Sequence, residues 1–366
     1  MQVPGFGVRM ARVILKQSGV ENAADLFKMS LPDILKVDGI GKERARNLVQ
    51  FDDWTRVDRM LEKTSKSGAE LVALTDPDYP QLLKQTFDPP VLLWVKGNPK
   101  SLNRQGIAVV GTRNPGSYGM KQAGKWSREL CKVGLSINSG LAYGVDSIAH
   151  KTAVEMGSVT VAVMGSGIDW IYPEKNRKLA DRIIDSGGAV VTEYPPGTKP
   201  DAPNFPERNR IVSGMSHGVL VVESGIKGGS MITARLALDQ NREVFVVPHP
   251  LPSLSGEGCN YLIKTGQGKL IQTMDDLLCE LSVETGVSVI NDAHEKTPSQ
   301  NSLRWREEEL DDEQKQLCRK LEEKSLHIDQ LAESLDTQPF KLSPMLLELE
   351  MKGLIRQKAG KYFELK

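Results

Sequence analysis

Three glycine-rich turns in this chain follow runs of valine and isoleucine, and each opens onto a helical pattern. The first is Gly111-Thr112-Arg113-Asn114-Pro115-Gly116-Ser117-Tyr118-Gly119. The second is Ser139-Gly140-Leu141-Ala142-Tyr143-Gly144-Val145-Asp146, and the third Gly225-Ile226-Lys227-Gly228-Gly229-Ser230-Met231-Ile232-Thr233. Glycine lets a backbone turn tightly and approach a phosphate, and the amides that open a helix favour an anion. A dinucleotide fold would show GxGxxG and then an acidic residue about 20 positions on. Here Arg113 follows Gly111-Thr112, and no second glycine stands at the proper distance. A guanidinium in such a loop suits a polyanion; a structural loop residue is the other reading of Arg113. Lys227 stands at the mouth of the third turn. Three phosphate-friendly turns exceed the needs of one small cofactor, whereas a strand of nucleic acid would use them all.

A fourth stretch, 204–214, sets Phe205, Arg208, Asn209 and Arg210 beside Glu193-Tyr194-Pro195-Pro196-Gly197. Arginine forks bind phosphates, and an aromatic ring stacks on an unpaired base for ~1–3 kcal/mol. An internal ion-pair network with Phe205 in the core accounts equally well for these residues. Asp146 reads as a helix N-cap with Ser147 and His150 in the first turn. As a catalytic pair, Asp146 and His150 lack a neighbouring nucleophile or metal ligand.

The elements that carry these turns alternate. IAVVG (107–111), LSINSG (135–140), VTVAVMGSG (159–167), AVVTEY (189–194), GVLVVES (218–224) and EVFVVP (243–248) read as strands, with helical patterns at 119–133, 146–157, 174–186 and 230–241. Nearly continuous apolar strands alternating with helices predict a Rossmann-like, doubly wound parallel α/β sheet buried on both faces. Ligands of such sheets bind beyond the carboxyl ends of the strands, at the topological switch point. The expected organisation is a helical domain at 1–66, an extended Rossmann-like domain at 67–281, a linker at 282–310 and a helical C-terminal domain at 311–366. Within 67–104, LVALT and VLLWVKG are strand-like and separated by a Pro-rich stretch.

The two ends also carry motifs. Val3-Pro4-Gly5-Phe6-Gly7 and Val37-Asp38-Gly39-Ile40-Gly41 each precede a helix (8–18 and 42–51) and resemble the helix-hairpin-helix, or SAM-like, motif, whose hairpin amides contact DNA phosphates and whose degenerate versions contact protein instead. The first copy has no leading helix, which suggests a late start site or a trimmed domain. At 311–366, leucines at helical spacing and two short strand-like pieces, Leu354–Gln357 and Tyr362–Glu364, predict a winged helix. Its third helix (340–352) carries Lys341 and Lys352 but also Glu348 and Glu350, a weakly charged face that is poor for duplex DNA and suits a protein partner at least as well.

Composition excludes several classes. The chain has 366 residues, 39% of them apolar, with 47 basic and 47 acidic side chains. Any attraction for phosphate must therefore be local. The longest apolar runs fall short of a membrane span, and the N-terminus lacks the order of a signal peptide. Four dispersed cysteines without a CxxC pair argue against zinc and disulfides and for a reducing cytoplasm.

Taken in order along 105–281, GIAVVGTR, SGLAYGVDSIAH, GSGIDWIYPEKN, TEYPPG, FPERNRIVSG, VVESG and GGSMITA followed by DQNREVFVVP resemble the DNA-processing protein A family (DprA, or Smf). The resemblance implies single-stranded DNA binding at the Rossmann edge, dimerisation through that domain, and protection and loading of DNA with the RecA recombinase in natural transformation. It implies no catalysis, cofactor or metal. Carried over, the DNA-binding residues fall on Gly111, Thr112, Arg113, Ser139, Gly140, Phe205, Arg208, Asn209, Arg210, Lys227, Ser230 and Thr233. Where the family has Pro-Gly after the strand ending at Val247, this chain has Pro248-His249-Pro250, so the 249–259 loop departs from the pattern. The alternative function is a nucleotide N-glycoside hydrolase of the lysine-decarboxylase-like type. Its PGGxGTxxE turn is missing here, but Glu193 and Glu223 remain as candidate carboxylates. An NAD-dependent oxidoreductase lacks its fingerprint.

Overall fold

In the computed structural model of the chain the strands are β1 (Glu70–Ala73), β2 (Leu92–Gly97), β3 (Gly106–Val110), β4 (Ser136–Ser139), β5 (Thr160–Val163), β6 (Ala189–Thr192), β7 (Gly218–Val221), β8 (Glu243–Val246) and β9 (Lys269–Leu270), with valine and isoleucine concentrated in β3 and β5 to β8. The described residues are 2–19, 23–281, 310–323, 326–335, 337, 339–358 and 362–365, in two compact units, Met1–Ser288 and Val289–Lys366. The nine strands form one sheet in the order β1-β2-β6-β5-β4-β3-β7-β8-β9. From β6 to β9 the pairing is parallel, and β3 to β7 are buried along their whole length. β1 and β2 extend the sheet through antiparallel pairs, β2 with β6 and β1 with β2, so it is mixed at that edge rather than parallel throughout. Their link runs through a Pro-rich turn and the short helix Gln81–Lys84.

The helices of the first unit are α1 (Val8–Gln17), α2 (Leu31–Ile34), α3 (Lys42–Val49), α4 (Trp54–Lys66), α5 (Gln81–Lys84), α6 (Ser117–Lys132), α7 (Val145–Glu155), α8 (Arg177–Asp185), α9 (Asn204–Gly214), α10 (Gly229–Asp239), α11 (Glu257–Lys264) and α12 (Met274–Leu278). Alternation along each strand divides the core. Ile107, Val109 and Ile137 pack under Trp126 and Leu130 of α6 and Ala149 of α7. On the other face Ala108, Val110, Val219 and Val221 pack under Ile211 and Val212 of α9 and Ala234 and Ala237 of α10. Helix α9 was not among the helical patterns visible in the sequence; it forms the crossover from β6 to β7. The chain runs outward from β3 to β4, β5 and β6, then returns to place β7 on the other side of β3. The switch point therefore lies beyond the carboxyl ends of β3, β4 and β7.

The two N-terminal glycine turns are structurally alike. Gly5 and Gly39 have φ +81° and +80°, and in each turn an N–H (Phe6, Ile40) donates to the carbonyl three residues back (Val3, Val37). Gly7 and Gly41 cap α1 and α3. Helix α4 is tied to the sheet by Trp94, whose buried indole N–H donates to Thr64 Oγ1 at 3.0 Å. The second unit is a winged helix: helices Asp312–Glu323, Ile328–Ser334 and Pro339–Met351, with three strands in the order β10 (Leu326–His327), β12 (Tyr362–Leu365), β11 (Ile355–Lys358). Its core gathers Leu317, Leu321, Leu331, Leu342, Leu346 and Leu349. The expected linker 282–310, apart from Leu310, and Ala359-Gly360 lie outside the described residues.

Candidate nucleic-acid interface

The switch point opens into a cavity of about 660 Å³, and all three glycine turns line it. Gly111, Thr112 and Arg113 come from the end of β3, Gly140 and Ala142 from the end of β4, and Gly225, Gly228, Gly229 and Ser230 from the turn between β7 and α10. The far wall is the first half of α9, with Phe205, Arg208 and Asn209, and Thr233 adds to the α10 side. Nine of the twelve residues expected at the site thus meet: Gly111, Thr112, Arg113, Gly140, Phe205, Arg208, Asn209, Ser230 and Thr233.

Close packing explains two of the glycines. A Cβ on Gly111 would lie 2.9 Å from both the Glu223 carbonyl and Val145 Cβ, and one on Gly140 would lie 2.5 Å from Arg208 Cζ. The guanidinium of Arg208 therefore packs directly beneath the second turn. Arg208 is 5% exposed. Its Nη1 donates to the Val163 carbonyl at 2.6 Å, while its Nε is buried without a hydrogen-bond partner. Burial pulls this guanidinium down to about 10, and the nearby Asp146 carboxylate pulls it back up, so it stays cationic at neutral pH. Asp146 is itself raised by burial, opposed by Arg208. Among the described residues the cavity thus holds a desolvated cation with unspent donor capacity, next to an exposed one, Arg113. Anions are held most strongly by such groups.

Asp146 is not the helix N-cap. Gly144 holds that position, and the Asp146 carboxylate instead accepts N–H bonds from Gly140 (3.0 Å) and Ala142 (3.4 Å), bracing the turn over Arg208. His150 does not join it. The buried ring places Nδ1 2.7 Å from Thr160 Oγ1, and burial lowers its pKa to about 3.

Three expected residues stand elsewhere. Ser139 is fully buried and donates to the Val109 carbonyl at 2.7 Å, because it is the last residue of a strand and faces into the sheet. Arg210 binds the Glu193 carboxylate, the Asp88 carboxylate (3.2 Å) and the Asp88 carbonyl (2.8 Å). The stretch 204–214 therefore contains both arrangements considered for it: Arg208 faces the cavity and Arg210 forms the ion-pair network. Lys227 is exposed on the third turn, between the lining residues Gly225 and Gly228, without lining the cavity.

The carboxylates that a hydrolase would need are engaged. Glu193 is bound to Arg210, and Glu223 accepts the Gly116 N–H (3.1 and 3.2 Å) under the first turn. Neither lines the cavity. His249 is buried with its ring edge-on to Tyr118 at 5.0 Å, and Asn260 brackets its backbone, accepting from its N–H (3.1 Å) and donating to its carbonyl (2.9 Å). The 249–259 loop is thereby fixed at its base. Tyr172, Pro200, Ala202 and Ile232 also line the cavity and were not selected from the sequence. The Tyr-Pro of the GSGIDWIYPEKN motif was the available signal for the first. No helix among the described residues is long and apolar enough to cross a membrane.

Known proteins share this fold. The family model for DNA recombination-mediator protein A matches residues 70–282, that for the DprA winged helix domain 304–361, and that for a SAM-like helix-hairpin-helix tandem 1–51. Protein Smf of Escherichia coli is 33% identical across 98% of this chain and 91% of its own length. The X-ray structure of DNA processing protein A from Streptococcus pneumoniae superposes with a TM-score of 0.63 at 33% identity, covering 76% of this chain and all but 1% of that one (99%). DNA processing protein A from Helicobacter pylori, whose structure was described for its single-stranded DNA binding mode, matches with a TM-score of 0.53 at 32% identity over 59% of this chain and 99% of that one. With the sheet, the cavity and both flanking modules in place, the chain belongs to the DNA recombination-mediator protein A family, DprA/Smf.

Proposed function

We propose that this protein binds single-stranded DNA in the switch-point cavity, protects it, and delivers it to the RecA recombinase during natural transformation, without catalysing a reaction. The observation that carries this reading is the convergence of three glycine turns on the buried Arg208, whose Nε has no partner. A phosphodiester meets that donor capacity. A cavity of about 660 Å³ has room for a short stretch of one strand with its bases unpaired. The single-stranded DNA binding mode described for the Helicobacter pylori relative supports the same reading.

The protein acts in this reading as a cytoplasmic homodimer joined through the Rossmann-like domain, consistent with four unpaired thiols and with Leu251 and Leu254, 90% and 81% exposed on that domain. The division into 1–66, 67–281, 282–310 and 311–366 belongs to the same proposal. Gel-shift titration with an oligonucleotide and its duplex tests it. Tight, sequence-tolerant and steeply salt-dependent binding of the single strand is expected. Preference for the duplex, or no binding at low salt, refutes it.

A further inference from the structure

The ring selected for base stacking from the sequence, Phe205, is not the ring that the cavity leaves open. The Arg113 guanidinium lies over Phe205, with Cζ 5.7 Å from the ring centroid. The Gly165 backbone approaches another side so closely that a Cβ there would sit 3.0 Å from Phe205 Cδ1. Tyr172 stands against Phe205 with ring centroids 5.4 Å apart and planes 43° apart. Yet Tyr172 lines the cavity and keeps 42% of its surface exposed.

The loop that carries Tyr172 is held from both sides. Ile168 and Ile171 are buried against Leu141 and Met164. Ser166 Oγ donates to the Trp170 carbonyl at 2.7 Å, and Asn176 Nδ2 donates to the Leu141 carbonyl at 2.8 Å. A ring presented this way loses little freedom when a flat partner settles on it.

We propose that Tyr172 is the base-stacking residue of the cavity. It receives an unpaired nucleobase on its open face while Arg113, Arg208 and the glycine turns hold the adjoining phosphates, and Phe205 serves as its backing. This assignment rests on the single-stranded DNA reading above and adds to it a division between base and phosphate subsites.

The test compares wild type, Tyr172→Leu and Tyr172→Phe on an oligothymidylate and on an abasic strand of equal length and charge. Loss of one base stack is expected to weaken oligothymidylate binding by Tyr172→Leu roughly 5- to 150-fold. Binding of the abasic strand is expected to be the same in all three proteins, and Tyr172→Phe is expected to match wild type on both. A 2-aminopurine in the strand should be quenched by wild type and Tyr172→Phe and not by Tyr172→Leu, which reads stacking directly in two proteins that keep the ring. Equal oligothymidylate affinity for Tyr172→Leu and wild type overturns the assignment while leaving the DNA site intact. So does an equal loss on both strands, or a Tyr172→Phe that falls with Tyr172→Leu. A wild type that binds neither strand removes the DNA reading itself.

Discussion

Arg210→Ala and Arg113→Glu should fail in different ways. The Arg210 side chain is 15% exposed and its partner Glu193 9%, so the variant leaves a carboxylate buried without its cation. One Glu193 oxygen already lacks a hydrogen-bond partner. Deleting one member of a buried pair costs about 3–5 kcal/mol. Because Asp88 keeps 40% of its surface in water, the lower end, ~3 kcal/mol, is expected at pH 7. Burial already raises the Glu193 carboxyl, opposed chiefly by Arg210. Without Arg210 it rises further, so the native state holds a proton that the unfolded chain releases, and the deficit should shrink as pH falls from 7 to 5.

Arg113 is exposed, so its reversal should move stability by less than ~0.5 kcal/mol. It should still weaken oligonucleotide binding by about 1.5–3 kcal/mol, roughly 10- to 150-fold. Urea unfolding followed by tryptophan fluorescence, and anisotropy of a labelled strand, measure the two effects. An Arg210→Ala protein as stable as wild type but selectively deficient in DNA binding would refute the placement of Arg210 in the ion-pair network.

Three further outcomes follow from the same geometry. Gly140→Ala places a Cβ 2.5 Å from Arg208 Cζ, so the guanidinium must shift, and anisotropy should show affinity reduced by ~1.5–3 kcal/mol; unchanged affinity removes Arg208 from the contact. His150, lowered by burial to about 3, stabilises the fold above its unfolded value near 6.5, and that contribution is lost as pH falls toward 3. Between pH 7 and pH 5 the loss is ~2 kcal/mol, and His150→Gln should flatten that part of the stability profile; an unchanged profile contradicts a neutral His150. Leu251→Asp with Leu254→Asp should leave a monomer in sedimentation equilibrium if that exposed pair seals the dimer, and an intact dimer excludes it.

Much of the architecture was visible along the chain because its causes are local. Short strand-like runs ending in glycine located β3, β4, β7 and their turns to within a few residues. The repeated V-x-G-φ-G pattern (φ apolar) located two turns that need positive φ at Gly5 and Gly39. Helix α9 was less visible because Pro206 and the adjacent charges of 207–210 obscure its periodicity, and because its apolar face is short. The antiparallel edge was hidden for a different reason: strand direction depends on where a connection lands, not on the residues of the strand.

Residue types and spacings by themselves determined that this chain builds an α/β sheet with anion-friendly turns, an N-terminal pair of glycine hairpins and a C-terminal winged helix. Only the tertiary structure decided which polar groups use those turns. Arg208 and Arg210 are the same residue two positions apart, yet a helix rotates by roughly 200° over that step. One guanidinium is thereby driven under Gly140 and the other against Glu193 and Asp88. Ser139 looked available and faces the sheet, while Tyr172 comes from beyond β5 to meet Phe205 from α9. These outcomes depend on contacts between segments far apart in sequence, fixed when β7 returns beside β3, and no local pattern encodes them.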